Sequence, residues 1–261
     1  MRELLEAVAA GDLSPAAAEA RLAGYATSEA GRFDAARERR AGVPEGILAP
    51  GKTPEEVADL AATAVETTGH ALVTRADERD VEAVRTHFDA TRPDASVDAD
   101  TRVGTVVVHA ADYECPSLDA RVGVVTAGTS DAVPAGEAAT VLREAGVGVT
   151  RVDDVGVAGL VRLFDQLATL REQDLLIVAA GREGALPTVL AGLVDVPIVG
   201  LPVSTGYGHG GAGEAALAGM LQSCAPVTVV NVDAGFAAGV QATLVARALD
   251  GARRGDEGDR V

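Results

Sequence analysis

The sequence predicts an α/β domain on a doubly wound parallel sheet over residues 121–250. A smaller, mainly helical α+β region over residues 1–120 precedes it. Three observations predict the sheet. Apolar, β-branched runs recur five times after Arg121, a helical stretch follows each run, and every run ends in a turn rich in Gly, Ser or Asp. Runs without polar alternation mean strands buried on both faces, and the intervening helices supply the covering layers.

In chain order, RELLEAVAAG, SPAAAEARLAGYA and TPEEVADLAATAVETTG read as helices. Ser14–Pro15 and Thr53–Pro54 each set a capping residue before a proline that suits a first helical turn. ALVTR (71–75) and VGTVVVHA (103–110) read as short strands, and ADYECPSLDA (111–120) as the connection. The five strands of the second domain are VGVVTAG (122–128), VGVTRV (147–152), LLIVAAG (175–181), PIVGLPVS (197–204) and VTVVNVD (227–233). Helices are expected at 131–145, 156–172, 184–194, 211–222 and 235–249, and residues 251–261 form an acidic tail expected to fray.

A chain of 261 residues buries enough surface to need no disulfide staple. Cys115 and Cys224 are far apart, with no CxxC or Cys/His cluster, so neither a structural zinc nor a disulfide framework is expected. The net charge of −17 leaves no basic stripe for nucleic acid. Lys52 is the only lysine, beside 21 arginines. That acidic, lysine-poor surface fits a high-salt cytoplasm, and also an acidic protein from a GC-rich genome. The amino terminus carries charges inside its apolar run, so it is no signal peptide, and no stretch reaches membrane-spanning length. A soluble, cytoplasmic protein with no membrane partner is expected.

Ligands of open α/β sheets bind outside the carboxyl ends of the strands. Candidate residues there are Gly128, Thr129, Ser130 and Asp131, then Asp154, then Gly181, Glu183 and Gly184. Ser204, Gly206, Tyr207 and Gly208 follow, and finally Asn231, Asp233, Gly235 and Phe236. The bare spacings GxGxxG (GYGHGG, 206–211) and GxxxxGK[ST] (GILAPGKT, 46–53) both occur, but neither stands in the first strand-to-helix turn of the predicted parallel sheet, which disfavours an ordinary dinucleotide fold or an NTPase. The glycines instead suit a phosphorylated small molecule cradled by backbone N–H groups. Each candidate also has a plainer reading. Ser130 and Asp131 could cap a helix, Glu183 could bind a hydroxyl or stabilise a helix start, and Asp233 and Asn231 could bind a sugar or metal or cap the last helix. His209 reads as exposed, and Lys52 as either an anion contact or a solvated residue.

Taken in order, VVTAGTSDAVPAGEAA, DVGVAGLVRL, VAAGREGALPTVLAGLVDVPIVGLPVSTGYG, GGAGEAALAGMLQSCAPVTVVNVDAGFAAG and the upstream RERRAGVPEGILAPGKTPEEV resemble the LarB family from about residue 33 to 247. Its carboxyl-terminal half is similar to PurE, the aminoimidazole ribonucleotide (AIR) carboxylase family, which implies a flavodoxin-like sheet. The LarB resemblance implies a carboxylase/hydrolase of nickel-pincer nucleotide biosynthesis. Such an enzyme takes nicotinic acid adenine dinucleotide, with CO2 or bicarbonate as co-substrate, to pyridinium-3,5-biscarboxylic acid mononucleotide and AMP. The family's N-S-C-A motif matches Gln222-Ser223-Cys224-Ala225, which implies covalent addition of Cys224 to the pyridinium ring. The likeness to PurE implies that the turn of Ser130 and Asp131 handles CO2 or the carboxyl group. RERRAGVPE offers Arg40 as a phosphate partner. Magnesium is expected on the pyrophosphate, its ligands unknown, and no organic prosthetic group is expected.

Four positions depart from the family pattern: Arg182 in AGREG, where the family has Met, Gln222 for Asn, Val161 where His is usual, and Ala234 for Asn. PurE's histidine is absent after the second strand, where Asp153 and Asp154 stand. Other readings are AIR carboxylation and a non-catalytic nucleotide-binding regulator. Cys224 follows a helix that returns the chain to the far end of the sheet, so it is either core or part of a site shared between subunits. PurE-like assembly implies a homo-oligomer, the octamer among its possible sizes.

Overall fold

The computed structural model describes residues 2–11 and 13–258, so positions 259–261 of the expected acidic tail lie outside the described residues. The chain divides into two compact units, Met1–Cys115 and Pro116–Val261. Among the described residues no helix is long and apolar enough to cross a membrane.

In the first unit, α1 (Arg2–Ala10) and α2 (Pro15–Ala23) lead to the two-residue pair β1 (Ala26–Thr27) and β2 (Arg32–Phe33). Then come α3 (Arg37–Ala41), β3 (Gly46–Leu48), α4 (Pro54–Thr68), β4 (His70–Thr74), α5 (Glu78–Thr91), β5 (Ser96–Asp100) and β6 (Thr105–His109). The start of α4 is a full capping box. Thr53 Oγ1 accepts the Glu56 N–H at 3.2 Å, and the Glu56 carboxylate accepts the Thr53 N–H at 2.8 Å. Asp77 and Asp80 open α5 in the same way. The sheet runs β3-β4-β6-β5, with β3 and β4 parallel and the other pairs antiparallel. Val57, Ala61 and Val65 of α4 and Val81, Val84 and Phe88 of α5 pack on Val73, Val106 and Val108.

The second unit holds β7 (Arg121–Thr126), α6 (Ala132–Glu144), β8 (Gly148–Val152), α7 (Leu160–Phe164), α8 (Leu167–Arg171) and β9 (Leu175–Ala180). α9 (Ala185–Ala191), β10 (Ile198–Pro202), α10 (Glu214–Leu221), β11 (Thr228–Val229) and α11 (Gly235–Gly258) complete it. Its five strands are all parallel, in the order β11-β10-β9-β7-β8. Counted within the unit this is 2-1-3-4-5, the flavodoxin-like order, whose switch point lies between β7 and β9. Alternation along the strands splits the core. Val122, Val124 and Ile177 face α6 and α11, where Ala135, Ala138, Ala242 and Ala246 allow close helix packing. Val125, Leu176 and Val178 face Leu163, Leu170, Leu186 and Met220.

Three details differ from the sequence reading. The helix expected over 156–172 is broken into a 3-10 turn, α7 and α8, because Gly159 adopts φ −143°, ψ 71°, outside helical space. The strand expected over 227–233 is only two residues long. The chain turns away at Asn231–Asp233, where Asp233 sits at φ +54°. The last helix continues past residue 249 to Gly258, through most of the expected tail.

Candidate active site

A cavity of about 350 Å³ opens at the carboxyl ends of β7, β9 and β10, at the switch point. Of the expected residues, Gly128, Ser130, Asp131, Gly181 and Glu183 line it. Among the further lining residues, sequence reading missed one glycine and three polar side chains: Gly156, Arg162, Arg182 and Thr205. Thr205 directly follows the chosen Ser204 and could have been found from that position. Arg162 carried no comparable signal, and Arg182 stood out only as a departure from the family pattern.

Asp131 is the chemical centre of the cavity. Its side chain is buried, and one carboxylate oxygen accepts the Gly128 N–H at 2.8 Å. The other accepts the Thr205 hydroxyl at 3.2 Å, and that hydroxyl lies 3.5 Å from Ser130 Oγ. Burial pushes the Asp131 carboxyl above its ordinary value of 3.8, against the lowering effect of the Gly128, Thr205 and Gly181 hydrogen bonds. Asp131 closes its own turn through Gly128, and no side chain caps α6. No side chain caps α9 either, so Glu183 stands exposed at the mouth without that role.

The rim is tied turn to turn. Thr126, fully buried at the end of β7, donates its hydroxyl to Asp153 at 3.1 Å and accepts the Asp154 N–H at 3.0 Å. Asp154, at φ +60°, pairs with Arg162 at 2.6 Å. It borders a separate recess of about 460 Å³ that shares Arg162 with the cavity. Arg182 also has a left-handed backbone, at φ +53°. Three non-glycine residues at strand exits, Asp154, Arg182 and Asp233, thus hold a conformation that costs about 1–3 kcal/mol each, a pattern that clusters at functional sites.

The remaining expected residues fall elsewhere. Thr129 is exposed at the start of the 3-10 turn that also holds Ser130 and Asp131. Gly184 is buried at φ +66° against α10. Gly206, Tyr207 and Gly208 form a loop in which Tyr207 is 83% exposed, with the Arg182 guanidinium 4.3 Å from its ring centre. The Asp233 carboxylate accepts the Ser204 N–H at 2.9 Å, bridging two strand exits. Asn231 accepts its neighbour Val232's N–H at 2.9 Å. Gly235 and Phe236 begin α11, where buried Glu137, which sequence reading missed, accepts the Phe236 N–H at 3.0 Å. None of these β11-exit residues lines the cavity. Arg40 belongs to the first unit, and its guanidinium grips Asp34 with two nitrogens. Lys52 donates to the Leu48 carbonyl at 2.6 Å, and His209 is exposed.

Cys224 is exposed on the connection between α10 and β11, at the end of the sheet opposite the cavity. The strands are five to six residues long, so about 16–20 Å separates the two ends. Beside that connection, Pro226, Val227 and Thr228 help line a largely apolar recess of about 710 Å³. The core alternative for Cys224 is therefore excluded, and the thiol does not line its own subunit's cavity.

Residues 25–107 match the family model of the LarB/PurE-like N-terminal domain, and residues 121–254 match that of AIR carboxylase. An uncharacterized protein of Methanocaldococcus jannaschii is 38% identical over 225 residues, covering 84% of each chain. The crystal structure of a PurE2 variant from Treponema denticola aligns with 53% of this chain and 95% of its own. Its TM-score of 0.38 and identity of 20% are too slight to weigh further.

Proposed function

Because this chain belongs to the LarB family, joining a LarB/PurE-like N-terminal domain to an AIR carboxylase domain, we propose that it carboxylates nicotinic acid adenine dinucleotide at pyridinium C5 and hydrolyses its phosphoanhydride. The products are pyridinium-3,5-biscarboxylic acid mononucleotide and AMP. The coarser statement, a carboxylase-type enzyme, rests on the two domain matches. The observation that carries the finer one is the cavity at the switch point, where buried Asp131 meets the Ser130 and Thr205 hydroxyls.

The pyridinium ring is electron-poor and cannot attack CO2. Addition of the Cys224 thiolate at C4 puts the electron pair into the ring and gives a neutral dihydropyridine with an enamine carbon at C5. C5 then bonds to CO2, and the ring nitrogen becomes an iminium. Asp131 takes the C5 proton, and loss of the thiolate from C4 restores the aromatic ring. The net change replaces C5–H by C5–carboxylate and releases one proton, with no oxidant. Burial raises the Asp131 carboxyl above its ordinary value, which makes it a stronger base than a free carboxylate and suits this role. Water cleaves the phosphoanhydride in a separate step.

The distance between Cys224 and its own cavity gives this reading a condition: the thiol serves the cavity of a neighbouring copy in a homo-oligomer. Its exposure and the adjoining apolar recess support that arrangement. Magnesium would neutralise the pyrophosphate. The cavity brings together only two carboxylates, Asp131 and Glu183, so no step is assigned to the ion. AIR carboxylation is the second reading, favoured by the match over residues 121–254, although no histidine lines the cavity.

The test supplies nicotinic acid adenine dinucleotide, labelled bicarbonate and magnesium, and reads products by mass spectrometry for wild type and Cys224→Ala. A labelled biscarboxylate mononucleotide and AMP from wild type alone are expected. Equal turnover by Cys224→Ala would sink the covalent route, and labelled product from aminoimidazole ribonucleotide instead would select the purine reading.

A further inference from the structure

We infer that Arg182 is a phosphate-binding residue at the cavity mouth and that the Tyr207 ring is the platform that positions it. Three observations converge. First, Arg182 lines the cavity, and among the described residues no carboxylate pairs with it. That contrasts with Arg162, the other lining arginine, which Asp154 already neutralises. Second, the guanidinium lies 4.3 Å from the centre of the Tyr207 ring. Cation–π contact fixes the plane of the group and leaves the N–H donors at its edge free for a bidentate oxyanion. Third, Arg182 holds φ +53°, a conformation that glycine would adopt without strain, so local backbone geometry does not explain an arginine there.

The depth of the site selects the anion. Asp131 is buried, whereas Arg182 and Tyr207 are exposed at the mouth. A reacting ring near Asp131 would leave the hydrated phosphates of a nucleotide at the level of Arg182. The assignment to a nucleotide phosphate rests on the function proposed above; the anion site itself does not.

Calorimetric titration of the full chain with inorganic pyrophosphate, and separately with nicotinic acid adenine dinucleotide, tests the inference. Arg182→Gly removes the side chain while suiting the backbone, so the variant folds. It should bind pyrophosphate about ten- to a hundredfold more weakly, the range for losing a charge-assisted contact. Arg182→Lys, which keeps the charge without the planar fork, should fall between. Tyr207→Ala should lose about two- to fivefold, and Tyr207→Phe, which keeps the ring, should restore wild-type binding. Pyrophosphate binding by Arg182→Gly within twofold of wild type, or none by wild type, would overturn the assignment. Equal losses in Tyr207→Phe and Tyr207→Ala would overturn the platform. If pyrophosphate follows this pattern while wild type ignores the dinucleotide, the anion site stands and the proposed substrate fails.

Discussion

Replacing Gly184 by alanine probes the turn that carries Arg182 and Glu183. Gly184 sits at φ +66°, and a Cβ added there would lie 2.5 Å from the Ala216 carbonyl oxygen and 2.9 Å from its Cα. Both are backbone atoms of α10, so no flexible tip can swing aside. A left-handed alanine costs about 1–2 kcal/mol, and forcing the helix back about 1–3 kcal/mol more. The sum, roughly 2–5 kcal/mol, corresponds to a fall of about 4–20 °C in Tm. Gly208 supplies the matched control: its φ is +84°, yet a Cβ there meets nothing within 4 Å. Gly208→Ala should therefore show the conformational share alone, about 1–2 kcal/mol. Thermal and urea unfolding of both variants separates the contributions. Equal losses would refute the steric argument, and with it the claim that α10 fixes this turn.

Other outcomes follow from the same geometry. Glu137→Ala, which strands the Phe236 N–H, should cost about 1.5–3 kcal/mol in urea unfolding, and Glu137→Gln less because it keeps an acceptor. Because the folded pKa of Asp131 lies above 3.8, its contribution to stability is complete below 3.8 and is lost as pH rises through the folded value. Asp131→Asn should accordingly gain on wild type in stability as pH rises, measured by unfolding at several pH values. Turnover moves the other way, with the acid limb of the wild-type rate profile lying above the range of a free carboxylate. Cys224→Ala should fold normally, since the thiol is exposed, and turn over nothing. Mixing it with Asp131→Asn and reassembling should restore activity at about a quarter of the sites if each site draws on two subunits. No recovery would refute sharing.

The parallel sheet was readable because strands buried on both faces leave unbroken apolar runs, as in LLIVAA and IVGLP. The edge strand SVDAD was not, since three of its five residues face solvent and Asp interrupts the pattern. The charged α5 hid its buried Val81, Val84 and Phe88 stripe in the same way. In the cavity, Ser130 and Asp131 were legible from their position after a strand. Thr205 reaches Asp131 across 74 residues of sequence only because β10 follows β9 beside β7, and strand order is not written in any single turn. Asp233 shows a limit of another kind. Its type and position fit capping or binding, and its actual service to the Ser204 N–H depends on a neighbouring strand's exit.

The two-residue β11 has a consequence for life in a crowded solution. A sheet margin recruits foreign chains when it offers a long row of unpaired N–H and C=O groups, the template on which cross-β stacks grow. Here one margin is Thr228–Val229, too short to hold an incoming strand in register. The other, β8, carries Arg151 bound to Asp153. Charge at one border and brevity at the other guard a strongly apolar sheet against pairing with foreign strands.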